Sequence, residues 1–121
     1  RAVLEGIALQ NVDVLKAMEA DMGQPLKQLR VDGGAAANDL LMQIQADLCG
    51  VQISRPEIVE TTALGAAFLA GLAVGFWSGL DELRQNWAED KTWQPAMAAA
   101  LRDKYYREWK KAVDRTFNWI E

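Results

Sequence analysis

Histidine is absent from all 121 residues, and that one gap removes much familiar chemistry. No Ser–His–Asp triad, no Cys–His pair and no histidine-containing metal site can be assembled within this chain. Cysteine is nearly absent as well. The single Cys49 cannot form an internal disulfide, which is consistent with a reducing compartment. It stands before Gly50 at the end of an apolar helical stretch, the place of a small core residue and not of a reactive thiol. Two nucleotide signatures are missing: there is no Gly-x-x-x-x-Gly-Lys-Ser/Thr loop and no Gly-x-Gly-x-x-Gly turn after a strand. Excess positive charge is lacking too, since the formal net charge is −4 and no field exists to hold a nucleic-acid backbone. No signal peptide opens the chain. Arg1-Ala-Val-Leu-Glu reads as the middle of a helix without a cap before it, so the sequence is expected to begin partway through a larger protein.

What is present is ordinary globular composition, 50% hydrophobic and 25% charged, in a length that suits one hydrophobic core. Residues 1–22 place Leu4, Ile7, Ala8, Leu15, Met18 and Met22 at near-helical spacing, and Gly23-Gln24-Pro25 stops that helix. Leu29–Asp32 is a candidate strand closed by Gly33-Gly34. A second helix runs from Ala35 to Cys49 with Leu41, Ile44 and Leu48 on one face. Val51–Ser54 alternates as a half-buried strand that Pro56 terminates. Strand, helix and strand make a βαβ unit, with a right-handed crossover and a parallel pair.

Thr61 and Thr62 offer N-caps for a helix reaching about Phe76. No residue from 61 to 80 is charged, a length that could span a bilayer. Against that, the stretch is rich in Ala and Gly, its flanks are acidic (Glu57, Glu60, Asp81, Glu82), and Ala67, Gly71 and Gly75 form a small-residue ridge. A buried central helix of a soluble fold is the expectation. Leu80, Leu83 and Trp87 suggest a short helix, and Thr92–Pro95 an edge strand. The final helix carries Leu101, Tyr105, Trp109, Val113, Phe117 and Ile120 as a core-packing stripe, with its interleaved Lys and Arg on a solvated face.

The segment richest in chemical meaning is Arg30-Val31-Asp32-Gly33-Gly34-Ala35-Ala36-Ala37-Asn38. A strand ends, two glycines turn the chain without side chains in the way, and small residues open a helix. Another molecule can approach such a backbone closely, and helix N-terminal N–H groups are available to an anion. Asn38, one turn beyond Gly34, offers both donor and acceptor. A plain strand-to-helix turn has the same appearance. The acidic pairs Asp81-Glu82 and Glu89-Asp90 read as solvated helix ends, because helical neighbours point about 100° apart and do not converge.

Arg30-Val31-Asp32-Gly33-Gly34 with Asn38 resembles the adenosine motif of the FGGY carbohydrate kinases. Leu41-Met42-Gln43, Asp47, Gly50 and Arg55-Pro56 follow the glycerol kinase branch of that family, as does the long block Glu60-Thr61-Thr62-Ala63-Leu64-Gly65-Ala66 through Trp77. The resemblance covers nearly the whole chain and is weakest between Glu89 and Asp103. It implies an α/β architecture: part of an actin-like, ribonuclease-H-like ATPase domain with a short mixed sheet and packed helices. Residues 1–121 would be the C-terminal part of the nucleotide-binding domain of a larger enzyme. That enzyme would transfer the γ-phosphoryl of MgATP to glycerol, or to xylulose, gluconate or ribulose in other branches. A non-catalytic nucleotide-binding regulatory module is the alternative of a different class. By resemblance, the Gly34 backbone would lie against the nucleotide phosphates and the Asn38 side chain near the adenosine. Asp32 would orient the turn. No catalytic residue and no metal ligand is assigned within this chain, Mg2+ being held mainly by parts outside it. ATP and glycerol are the implied partners, in a cytoplasmic homo-oligomer without membrane insertion or nucleic-acid binding, and this chain alone would be inert.

Overall fold

The computed structural model describes residues 1–85 and 87–118. Helix α1 (Ala2–Met22) ends on Gly23, which takes the left-handed conformation at φ 67° and returns its N–H to Glu19. The chain then enters strand β1 (Gln28–Arg30), passes a short 3-10 turn at Gly34–Ala37, and continues as helix α2 (Asp39–Cys49). Gly50 closes α2 at φ 71°. That positive φ is what calls for glycine here; the Arg102 guanidinium lies over the position, but it is the end of a flexible side chain that can move. Strand β2 (Gln52–Pro56) follows, then helix α3 (Thr61–Ala73), helix α4 (Leu80–Gln85), strand β3 (Glu89–Trp93) and helix α5 (Ala99–Asp114).

The three strands form one mixed sheet in the order β1-β2-β3, β1 parallel to β2 and β3 antiparallel to it. Leu29 pairs with Ile53 and Ile53 with Trp93, so one row of apolar side chains crosses the sheet. That row meets Leu41, Met42 and Ala46 of α2 in the main core, with Ala36 of the turn also buried there. A second cluster joins Ala8, Leu9 and Val12 of α1 to Leu48, and α5 covers it with Tyr105, Tyr106 and Trp109. Asp13 fixes this docking: its carboxylate accepts from the Tyr106 hydroxyl and from the Trp109 indole N–H, each at 2.7 Å. Cys49 packs at the edge of the same cluster, and burial pushes its thiol up to about 11, as suits a core residue.

Several expectations are corrected. Strand β2 runs on through Pro56, because β3 pairs beside it with a register shift between Arg55 and Pro56. Proline is tolerated at such an irregularity. Strand β3 spans Glu89–Trp93 and leaves Gln94 and Pro95 outside. Glu89 and Asp90 therefore lie on a strand and not at a helix end. Glu89 accepts from the Ser54 hydroxyl at 2.5 Å, and Asp90 pairs with Arg55. On α1 the buried stripe is Ala8, Leu9 and Val12, while Ile7, Met18 and Met22 are exposed. On α5, Leu101 is exposed, as is Phe117 just beyond it; Ile120 lies outside the described residues.

The largest correction concerns the 61–76 segment. Its helix stops at Ala73, and neither Thr61 nor Thr62 is the cap, since Glu60 precedes the first turn without a side-chain cap bond. Nor is it buried. Gly71 is its one buried residue, whereas Leu69 is 71% exposed and Val74, just past its end, 82%. Gly71 is small because the Trp77 indole folds back over it: a Cβ would meet that ring at 2.1 Å. Phe68 and Phe76 pack edge-on against the same ring, with centroids 5.2 and 4.8 Å away. The small residue thus accommodates a neighbouring aromatic and not a sheet. Among the described residues, no helix is long and apolar enough to cross a membrane.

Candidate functional site

The β1–α2 turn is held from three sides. The Val31 N–H donates to the Ser54 carbonyl at 2.9 Å, which carries the parallel ladder one residue past β1. Gly33 then adopts φ 77°, ψ 175°, and its N–H donates to the Val59 carbonyl at 2.8 Å in the loop leading to α3. The Asp32 carboxylate accepts from the Thr61 hydroxyl in the first turn of α3. Asp32 thus joins the turn to the start of α3. Within the turn, Ala36 N–H donates to Gly33 and Asn38 N–H to Ala35.

The two glycines divide the work. Gly33 supplies the positive φ that an L side chain would resist, while Gly34 has no such conformation. A Cβ on Gly34 would meet nothing within 4 Å, and the residue is exposed, so its backbone is open to a large ligand. Asn38 is exposed as well, but not inside a helical turn as expected. It is the N-cap of α2, with φ −85° and ψ 99°, and its Oδ1 accepts from the Leu41 N–H at 3.1 Å. Among the described residues its Nδ2 group has no partner, which leaves two donors for a ligand. The acceptor half of the amide serves the fold and the donor half is spare.

Beside the turn, between α1 and the edge of β1, lies a cleft of about 310 Å³ lined in part by Asn11, Leu29, Asp32, Ala35 and Met42. Gly34 and Asn38 lie outside that lining, on the exposed side of the turn. No group of three or more Cys, Asp or Glu placed to hold a metal ion occurs among the described residues.

Sequence reasoning missed the charged residues behind the turn. The Arg55 guanidinium donates from Nη1 to the Ala36 carbonyl at 2.8 Å and to Asp39 Oδ1 at 3.1 Å, and from Nε to Asp90 Oδ2 at 2.7 Å. Lys91 Nζ reaches the other oxygen of Asp39 at 2.6 Å. The hydrogen bond from Lys91 above all, with that lysine's charge and Arg55 beside it, holds the Asp39 carboxyl below its usual range. The hydrogen bond that Arg55 donates to Asp90 likewise leads in raising the Arg55 guanidinium. Only Asp39, in the first turn of α2, had a local signal, since an acid is favoured at a helix N-terminus. The others come from strands distant in sequence.

Residues 1–74 match the model of the FGGY family of carbohydrate kinases, C-terminal domain. Over all 121 residues the chain is 59% identical to a glycerol kinase of Chloroflexus aurantiacus and 57% to one of Saccharopolyspora erythraea. It spans 24% of the length of each of those curated relatives. Among solved structures, a Plasmodium falciparum glycerol kinase with ADP superposes at TM-score 0.85 and 38% identity, covering 99% of this chain and 24% of that one. A ligand-bound xylulose kinase from Lactobacillus acidophilus gives TM-score 0.81 at 25% identity, covering 98% and 24% respectively. The mixed α/β architecture expected of an actin-like ATPase domain is what the chain shares with these structures. The chain belongs to the FGGY family of carbohydrate kinases, as part of its C-terminal domain.

Proposed function

We propose that this chain is the C-terminal part, residues 1–121, of the nucleotide-binding domain of a glycerol kinase. The longer polypeptide transfers the γ-phosphoryl of MgATP to a terminal hydroxyl of glycerol. The observation that carries this reading is identity of 56–59% along the entire chain with several bacterial glycerol kinases and 38% with the Plasmodium falciparum one, against 25–26% with a xylulose and a gluconate kinase. In the turn, the open Gly34 backbone takes the nucleotide phosphates and the spare Asn38 amide donors face the adenosine. Phosphoryl transfer depends on positioning and on charge stabilisation, with a carboxylate accepting the hydroxyl proton. This chain contributes positioning on the ATP side. Magnesium and glycerol are held elsewhere in the polypeptide, which works in the cytoplasm as a homo-oligomer.

The test is ATP-dependent phosphorylation by the full-length polypeptide, with glycerol set against xylulose, gluconate and ribulose. Glycerol should give the highest kcat/KM by at least tenfold. A preference for one of the sugars would move the assignment to another branch. Nucleotide binding without turnover of any acceptor would favour a regulatory module.

A further inference from the structure

Gly34-Ala35-Ala36-Ala37 contains no polar side chain, so this stretch has only backbone groups with which to hold its shape. Its internal bonds occupy the Gly33 and Ala35 carbonyls, and the Ala36 carbonyl turns instead toward β2 and receives Arg55 Nη1 at 2.8 Å. The same Nη1 reaches Asp39, the residue after Asn38, at 3.1 Å. One guanidinium therefore grips the backbone two residues before Asn38 and the side chain one residue after it. Arg55 is itself fixed: Asp90 binds its Nε and Nη2 from β3, the Trp93 ring centroid lies 5.1 Å from its Cζ, and its side chain is only 13% exposed. It stands where the β2–β3 register shifts, an irregularity that re-aims a side chain.

We infer that Arg55 is a positioning residue for the nucleotide, holding the Gly34–Asn38 turn in its binding shape through Ala36 and Asp39. This rests on the nucleotide reading of that turn. Arginine suits the task because its planar fork serves several acceptors in fixed directions, whereas a lysine ammonium serves as a point charge.

Steady-state kinetics and direct ATP titration of the full-length Arg55→Ala and Arg55→Lys variants test it, well below the melting temperature of each. Arg55→Ala should raise the KM and Kd for ATP about tenfold while the KM for glycerol moves less than about twofold, since misplacing one binding element weakens one substrate. Arg55→Lys, the variant better able to fold, should fall between wild type and Arg55→Ala. In the Asn38→Ala background, Arg55→Ala should cost less than in wild type, because both act on one turn. Equal rises in both KM values, a lowered Tm with ATP binding unchanged, or effects that simply multiply would each overturn the inference. A wild-type protein that binds ATP without phosphorylating glycerol overturns only the acceptor assignment, and the Kd values still read Arg55. Failure of wild type to bind any nucleotide overturns both.

Discussion

At the scale of single residues, Gly33 and Gly34 look alike in the sequence and differ in the fold. Gly33 is bound to its positive φ, while Gly34 is free of strain and faces open space. Gly34→Ala should therefore leave stability within about 0.5 kcal/mol of wild type, as exposed substitutions generally do. If phosphates approach this backbone, the same change should raise the KM for ATP in the full-length enzyme and spare that for glycerol. Asn38→Ala is the less clean variant. Besides a ligand donor it removes the cap of α2, a loss of about 0.5–2 kcal/mol. Thermal melts beside kinetics separate the two: Gly34→Ala should change KM without Tm, and Asn38→Ala both. A lowered Tm for Gly34→Ala with normal ATP binding would make the residue structural.

At the scale of elements, α3 is largely exposed and buries Gly71 under the Trp77 ring. Gly71→Leu should cost about 1–3 kcal/mol by displacing the Trp77 ring from the helix. Trp77 fluorescence should shift toward that of a solvated indole, and an unchanged spectrum would contradict the contact. The docking of α5 on α1 carries its own pH signature. Burial pushes the Asp13 carboxyl up, but hydrogen bonds from Trp109 and Tyr106 and the charge of Lys110 outweigh it and leave it below its ordinary 3.8. A depressed folded value means that this stabilisation is complete above the ordinary pKa and is lost as pH falls through the lower folded one. Tyr106 moves the other way. Burial, then the hydrogen bond to Asp13, pushes its hydroxyl up to about 12 from 10.0, so its contribution is complete below pH 10.0 and disappears as pH rises through about 12. Asp13→Asn should flatten the acid limb of the stability profile and cost on the order of 1 kcal/mol for each hydrogen bond weakened. An acid limb identical to wild type would show that Asp13 does not titrate with unfolding.

At the scale of the whole molecule, the reading proposed above makes this chain one face of a nucleotide site. The turn, its contact with Arg55 and its tie to α3 are all made within the described residues. On the reading proposed above, the isolated chain should form no glycerol phosphate from ATP and glycerol above a protein-free blank. Product formation by the purified chain would mean that it carries an acceptor site and a base of its own. Along α3 and just past its end, Leu69, Val74 and Phe76 stand exposed at 71–82%, apolar surface that lies outside both core clusters of this chain.

Local chemistry made much of this legible from sequence. The glycines at 23 and 50 end their helices where expected, because the left-handed conformation is a property of glycine itself. The β1–α2–β2 unit and its parallel pairing follow from apolar periodicity and short connections. The Asp-Gly-Gly turn with its nearby Asn stood out because backbone freedom and side-chain chemistry are written in adjacent residues. Tertiary structure alone decided the rest. Whether α3 is buried depends on what stands opposite it, and hydrophobic composition states only that it could be. Glu89 and Asp90 became strand residues because β2 offered an antiparallel edge, and charged residues take either structure when a partner ladder is present. Arg55 became the brace of the turn through contacts with residues 16 and 19 positions back and 35 positions ahead. Those separations are closed by the packing of the sheet against α2, and no periodicity along the chain encodes them.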